Sequence, residues 1–195
     1  PTLVITADCG SSDEPRIARL KAAGIDVVVS DHHALPLEGP PPSAYACVNP
    51  TRSDCDYPDK TIAGCMVAWL LMSLARGVLV EWGVLPEATP KLSPWLSYVA
   101  LGTVADCVSL GGSPANRAVV SYGLTLINRM DAACWRAMAA RLGADSVPFN
   151  AETLAFQMGP RINARSRLDD PYAALHFMLA ECDGVANRQL EVLDQ

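Results

Sequence analysis

The chain has 195 residues, 50% of them hydrophobic and 18% charged, with three His, seven Cys and a formal net charge of −6 at pH 7. That size fits one ordinary domain, or one large and one small, and the hydrophobic share excludes a disordered chain and supplies a sizeable core. The acidic balance excludes holding nucleic acid by bulk charge, since phosphate binding draws on clustered Lys and Arg, but it leaves a local basic site open.

The charged share is below the roughly 25% of average soluble domains. Together with a start at Pro1 rather than Met and an end at Asp194-Gln195, it suggests a piece of a longer protein. The longest apolar run, Ile62 to Ala75, has 14 residues before Arg76; that is short for a hydrocarbon core about 30 Å thick, so no membrane span is expected. The seven cysteines form no C-x-x-C pair. They read as reduced thiols of a cytoplasmic protein rather than as zinc ligands.

In chain order, Thr2–Thr6 is a short apolar and β-branched run that reads as a buried strand, ending in the turn-forming Asp8-Cys9-Gly10-Ser11-Ser12. Glu14–Ala23 has the apolar spacing of a helix, and Gly24 stands at its expected C-cap. Asp26–Ser30 is a second buried strand that ends in Asp31-His32-His33. Strand, helix and strand with short connections form a βαβ unit, whose crossover implies parallel strands. A Pro-rich stretch follows, Tyr45–Val48 reads as a third strand, and residues 52–60 are a polar loop.

From Thr61 the pattern turns helical, over 62–75, 94–105, 116–128, 132–142, 151–158, 172–180 and 185–193, with Thr61, Ser93, Asp131 and Asn150 as expected N-caps. The four Trp and Met66 and Met72 fall in or near apolar helical patterns and read as core or interface. His176, among Ala, Leu, Phe and Met, reads as a packed histidine.

Ligands of open parallel sheets bind in the crevice beyond the carboxyl ends of the strands. Asp8 follows one strand and Asp31, His32 and His33 follow the next, so all four are expected at one crevice. Carboxylate oxygen with imidazole nitrogen suits Mn²⁺, Fe²⁺ or Zn²⁺; a surface loop carrying His is the plain alternative. Asp106 ends the apolar run Tyr98–Ala105 and is either a solvated helix end or a ligand, its charge opposing the helix dipole unless a cation offsets it. Arg161, Arg165 and Arg167 cluster before Asp169-Asp170. They are equally suited to gripping phosphate and to a surface ion-pair network with those acids. No nucleophile elbow, phosphate loop or dinucleotide turn occurs.

Thr6-Ala7-Asp8-Cys9-Gly10, Ser30-Asp31-His32-His33, Leu101-Gly102-Thr103-Val104-Ala105-Asp106 and Gly159-Pro160-Arg161-Ile162-Asn163-Ala164 stand in the order and rough spacing of the DHH phosphoesterases. The chain resembles that family over essentially its whole length. The last of these segments, with Arg167-Leu168-Asp169-Asp170, is similar to the RecJ-type single-strand-specific 5′-to-3′ exonucleases in particular, as are Asn49-Pro50, Ala63-Gly64 and Asn116-Arg117.

The resemblance implies an α/β fold: a parallel-sheet, Rossmann-like DHH domain portion over 1–110, then a mostly helical region over 111–195 leading toward a DHH-associated domain. It implies a two-metal phosphodiesterase using Mn²⁺, with Mg²⁺ as the other choice, acting on single-stranded DNA with a 5′ end in repair and recombination. A single-strand-binding protein or a helicase are the further partners it suggests. Asp8, His32 and Asp106 would be metal ligands, His33 and Asp31 catalytic, with Asp31 supporting the neighbouring imidazole, and Arg161, Asn163 and Arg167 would face the substrate phosphate.

The family's Asp-x-Asp motif has no counterpart in the 195 residues, so these residues alone are expected to leave one metal position open and to be nearly inactive. Cys9 stands where such proteins commonly have Asn, either as a thiolate ligand or as a neutral packed thiol, and Ser166 stands where they commonly have Gly. The other functions considered are a phosphodiesterase for nano-RNA or cyclic dinucleotides and a catalytically inactive DHH scaffold.

Overall fold

Val27 and Val29 are 1% and 0% exposed, which makes strand β2 (Asp26–Ser30) the centre of its sheet. β1 (Leu3–Ile5) and β3 (Ala46–Val48) flank it, both parallel to it, in the order β1-β2-β3. Leu3 stands opposite Asp26 and Val28 opposite Ala46. The computed structural model describes residues 1–143, 148–165 and 172–194. Two units divide them, Pro1–Ser93 with Val108–Arg117, and Pro94–Cys107 with Ala118–Gln195.

In the first unit, helix α1 (Glu14–Ala22) makes the crossover from β1 to β2, starting with Pro at its first turn and carrying Arg19 and Lys21 in its last. It lays Ile17 and Leu20 on Val27 and Val29, with Val4 and Cys47 beside them. The expected burial of the first strand is not met. Leu3 and Ile5 are 47% and 49% exposed because β1 is an edge strand, paired on one side by β2.

Helix α2 (Gly64–Glu81) runs six residues beyond the expected end at Ala75. The apolar run is interrupted at Arg76, but Arg76 reaches forward to the carbonyls of Thr89 and Pro90, which holds the chain after the helix. At 18 residues and a mean hydropathy of 1.5, α2 is long and apolar enough to cross a membrane by length and composition. The 14-residue run therefore understates the length of this apolar helix. Met66 and Val67 are its buried apolar side chains, whereas Met72, expected in the core, is 47% exposed.

The second unit is helical. A short 3₁₀ turn, Ser93–Trp95, leads into α3 (Leu96–Ala105), which is apolar all round and buries Val99, Ala100 and Leu101. α4 (Pro114–Ile127) begins in the first unit and ends in the second. α5 (Ala133–Leu142) ends on Gly143 at φ 63°. A helix over 151–165 contains a π segment, Thr153–Met158, followed by α6 (Gly159–Arg165). Pro160 lacks the N–H that would bond back within that helix, and the π turn accommodates the break.

α7 (Ala173–Met178) and α8 (Asp183–Leu193) close the unit on a core that holds Trp135, Met138, Leu154, Met158 and Phe177. Of the expected caps, Asn150 accepts a hydrogen bond from the Thr153 N–H at 2.9 Å. α2, α3 and α5 start instead from Ala63, Trp95 and Ala132, with no side-chain cap. Trp135 is core as expected, while Trp82 and Trp95 are 72% and 48% exposed. His176 is likewise exposed, stacked on Tyr172 at 6.3 Å, because it faces outward from a helix only six residues long.

Candidate metal centre

Where β1 and β2 end, the chain is tied across the sheet. The Asp8 N–H donates to the Ser30 carbonyl at 2.9 Å and Cys9 forms a bridge with Ser30. The Thr6 hydroxyl donates to the Cys9 carbonyl at 2.6 Å and accepts from the Ser30 N–H at 3.2 Å. Asp8 sits at φ 63°, in the left-handed region that Asp tolerates better than most residues and that marks a constrained position. Gly10, at φ 113°, lets the following loop turn against Val29, from which an added Cβ would stand 3.1 Å.

This turn brings the Asp8 carboxylate to the histidines. Asp8 Oδ1 lies 3.2 Å from His32 Nε2. Asp8, His32 and His33 each offer one ligand atom, and all three lie within 4.8 Å of one another. The His32 side chain is mostly buried, Asp8 is half exposed, and the two imidazoles meet edge to face at 4.6 Å. One carboxylate oxygen and two imidazole nitrogens are a donor set that fits Mn²⁺, Fe²⁺ or Zn²⁺.

Asp31 lies behind them, 1% exposed. Burial by itself would raise its pKa. Against that, the His33 ring donates to Oδ1 at 2.7 Å, the Ser11 N–H to Oδ2 at 2.9 Å, and the His32 and His33 N–H groups to Oδ1 at 2.8 and 3.2 Å. These bonds prevail and hold the carboxyl well below the ordinary range. The geometry is that of a buried carboxylate fixing the orientation of the His33 imidazole.

Asn49 and Ser11 were not singled out as site residues by sequence, yet they frame this carboxylate. Asn49 is 2% exposed and donates to Ser11 Oγ and to the His33 carbonyl, both at 2.9 Å, while its Oδ1 accepts from Thr51. The Asn49-Pro50 pair after a strand was the available signal. Around Cys9, desolvation and the nearby Asp31 and Asp13 charges raise the thiol pKa.

The remaining expected residues belong to the second unit. Asp106 is exposed and ends α3 as its C-cap. Arg161 donates to Asp194 Oδ1 at 2.7 Å and to the Gln157 carbonyl, and Arg141 meets the other Asp194 oxygen at 2.7 Å. Among the described residues Arg161 thus pairs with Asp194, 33 residues on. Asn163 is exposed on α6. Arg167, Ser166, Asp169 and Asp170 lie outside the described residues.

Comparison with known proteins identifies the family. Residues 2–103 match the family model described as DHH family, N-terminal domain. The chain is 38% identical over 198 residues to the single-stranded-DNA-specific exonuclease RecJ of Dickeya dadantii, covering 98% of this chain and 33% of that protein. The RecJ of Escherichia coli K12 is 36% identical over 203 residues, with 99% and 34% covered. The chain thus spans about a third of the length of these relatives. Among solved structures, exonuclease RecJ bound to manganese superposes with a TM-score of 0.81 at 30% identity, covering 99% of this chain and 46% of that one. RecJ of Thermus thermophilus in complex with Mn²⁺ gives 0.79 at 30%, covering 99% and 27%. With the matched model reaching over both the Asp8 turn and the Asp31-His32-His33 strand end, the chain belongs to the DHH family.

Proposed function

We propose that this chain is part of the catalytic core of a manganese-dependent exonuclease of RecJ type, which degrades single-stranded DNA from the 5′ end. The observation that carries the reading is the convergence of Asp8, His32 and His33 in front of the buried Asp31. Its support from relatives is that proteins similar to it over nearly all its length are named single-stranded-DNA-specific exonucleases. Structures similar to it carry Mn²⁺ or Mg²⁺.

Asp8 and His32 would hold the metal, with His33 beside the substrate phosphate. A bound divalent metal would supply hydroxide at neutral pH and neutralise charge developing on the phosphoryl group. Asp31 accepts a hydrogen bond from the His33 Nδ1–H and so fixes which ring nitrogen is turned to the metal and phosphate side. The assignments of Asp106 to metal and of Arg161, Asn163 and Arg167 to substrate phosphate rest on the resemblance. A role in repair and recombination, a cytoplasmic setting and a single-strand-binding protein or helicase as partner belong to the same proposal.

The test uses the full-length gene product with 5′-phosphorylated single-stranded DNA, duplex DNA and dinucleotides, with and without Mn²⁺. The expected result is Mn²⁺-dependent release of nucleotides from the 5′ end of single strands, abolished by Asp8→Ala. Preferential cleavage of dinucleotides overturns the exonuclease reading in favour of a small-nucleotide phosphodiesterase. Absence of both hydrolysis and Mn²⁺ binding leaves a scaffold.

A further inference from the structure

We propose that Gly64, the first residue of α2, is a positioning residue for the Asp8 carboxylate, which occupies the space that any side chain at position 64 would take. The inference rests on the metal reading of Asp8 above. A Cβ built on Gly64 would lie 2.7 Å from Asp8 Cγ and 2.8 Å from Asp8 Cβ, and closer still to Oδ1. Carbon atoms that are not bonded do not approach so closely without one of them moving.

Rotation about the Asp8 Cα–Cβ bond does not relieve this conflict. It moves Cγ and Oδ1 but leaves Cβ where the backbone puts it. That backbone is held by the Asp8 N–H bond to Ser30 and by the Cys9–Ser30 bridge, with φ at 63°. Any side chain at 64 must therefore displace either the turn that carries Asp8 or the first turn of α2. Gly64 is also absent from the residues with positive φ, so the requirement for glycine is steric rather than conformational.

A second observation explains what the close approach achieves. α2 starts at Ala63 without a side-chain cap and has no acidic residue in its first turn. The carboxylate lying on Gly64 brings a negative charge to the positive end of the helix dipole from another element. This holds the carboxylate from one side while Oδ1 stays 3.2 Å from His32 Nε2 on the other. The absent Cβ thus sets where the ligand oxygen stands relative to the imidazole.

The test compares Gly64→Ala, Asp8→Gly and the double variant in the full-length gene product, reading melting temperature without metal and Mn²⁺ affinity by titration calorimetry. Glycine at position 8 suits the left-handed backbone and removes the three atoms nearest to the new methyl. We expect Gly64→Ala to lower the melting temperature when Asp8 is present and not in the Asp8→Gly background. We also expect it to weaken Mn²⁺ binding by on the order of tenfold or more.

If Gly64→Ala fails to fold, recovery in the double variant supports the proposal, and failure of both overturns it. An equal loss of melting temperature in both backgrounds overturns it, as does wild-type Mn²⁺ affinity in Gly64→Ala, which leaves the metal reading intact. No Mn²⁺ binding by the unsubstituted protein overturns the metal reading and the positioning role together.

Discussion

His33 Nδ1 stands 2.7 Å from Asp31 Oδ1, so an imidazole whose side chain is 60% exposed is held by a carboxylate that is almost fully buried. The exposed ring would otherwise sample several rotamers, and the buried acid would otherwise be costly to ionise. Each removes the other's difficulty. The bond also makes Asp31 the residue through which the strand end controls the cluster.

Asp31→Asn keeps the shape but replaces one acceptor oxygen with an N–H₂ donor that faces the Ser11, His32 or His33 N–H groups. The expected result is a loss of about 10- to 100-fold in Mn²⁺ affinity or activity, with destabilisation of about 1–3 kcal/mol from the mismatched donors. Calorimetric titration and denaturant unfolding measure the two, and wild-type values for both would remove Asp31 from the positioning of the site.

Asp59 is expected to contribute to the loss of stability in acid. Desolvation raises its pKa, but the bonds from the Ser113 hydroxyl and from Thr61, the latter at 3.0 Å from N and 2.8 Å from Oγ1, lower it further, so the carboxyl lies below its ordinary value. A folded pKa below the unfolded one contributes stability at pH above the unfolded value, and that contribution is lost as pH falls through the folded value. The melting temperature of the wild type should therefore drop more steeply than that of Asp59→Asn below about pH 4. Parallel curves for the two proteins would exclude the contribution.

Trp135 is 2% exposed in the core of the second unit and packs against Tyr98 with ring centroids 5.2 Å apart and the planes tilted by 36°. Trp135→Ala should cost about 3–5 kcal/mol, as for other buried large-to-small changes. Trp82→Ala, at a residue 72% exposed, should stay within about 0.5 kcal/mol of wild type. Chemical denaturation of the two variants side by side checks the ranking.

Glycines divide in the same way. A Cβ on Gly123 of α4 would meet the Leu96 carbonyl oxygen at 2.5 Å and would lie closer still to the Ala100 side chain, so Gly123→Ala must push α4 away from α3. A cost of about 1–3 kcal/mol is expected. Gly77, inside α2 with open space at its Cβ position, should gain about 0.5–1 kcal/mol on replacement by Ala. Opposite signs in a thermal-shift comparison are the outcome to look for, and a stabilised Gly123→Ala would show that the two helices separate at no cost.

Asp8, Asp31, His32 and His33 were legible as a group because their signals are local. Each follows a short apolar run, the runs are joined by a helix, and a βαβ crossover sends both strand ends to one edge. Arg161 shows the opposite case. Its partner Asp194 is 33 residues away at the end of α8, and nothing in the spacing of the Arg cluster points to that acid. Likewise Met72 and His176 sit in apolar patterns yet are exposed, because periodicity marks which residues share a helix face and not whether another element covers that face.

The sequence by itself determined the α/β class, the parallel crossover and the placing of the Asp8 turn and the Asp31-His32-His33 strand end together, since these follow from backbone geometry over stretches of a few residues. Only the tertiary structure decided that Asp31 grips His33, that Asn49 and Ser11 brace it, and that Gly64 must lack a side chain. The Asp31–His33 bond depends on how the strand end turns, and the other relationships depend on ångström-scale approach between segments 16 to 56 residues apart. Such approaches are set by how the whole unit packs, and the identity of a residue does not reveal which distant atom will come to rest against it.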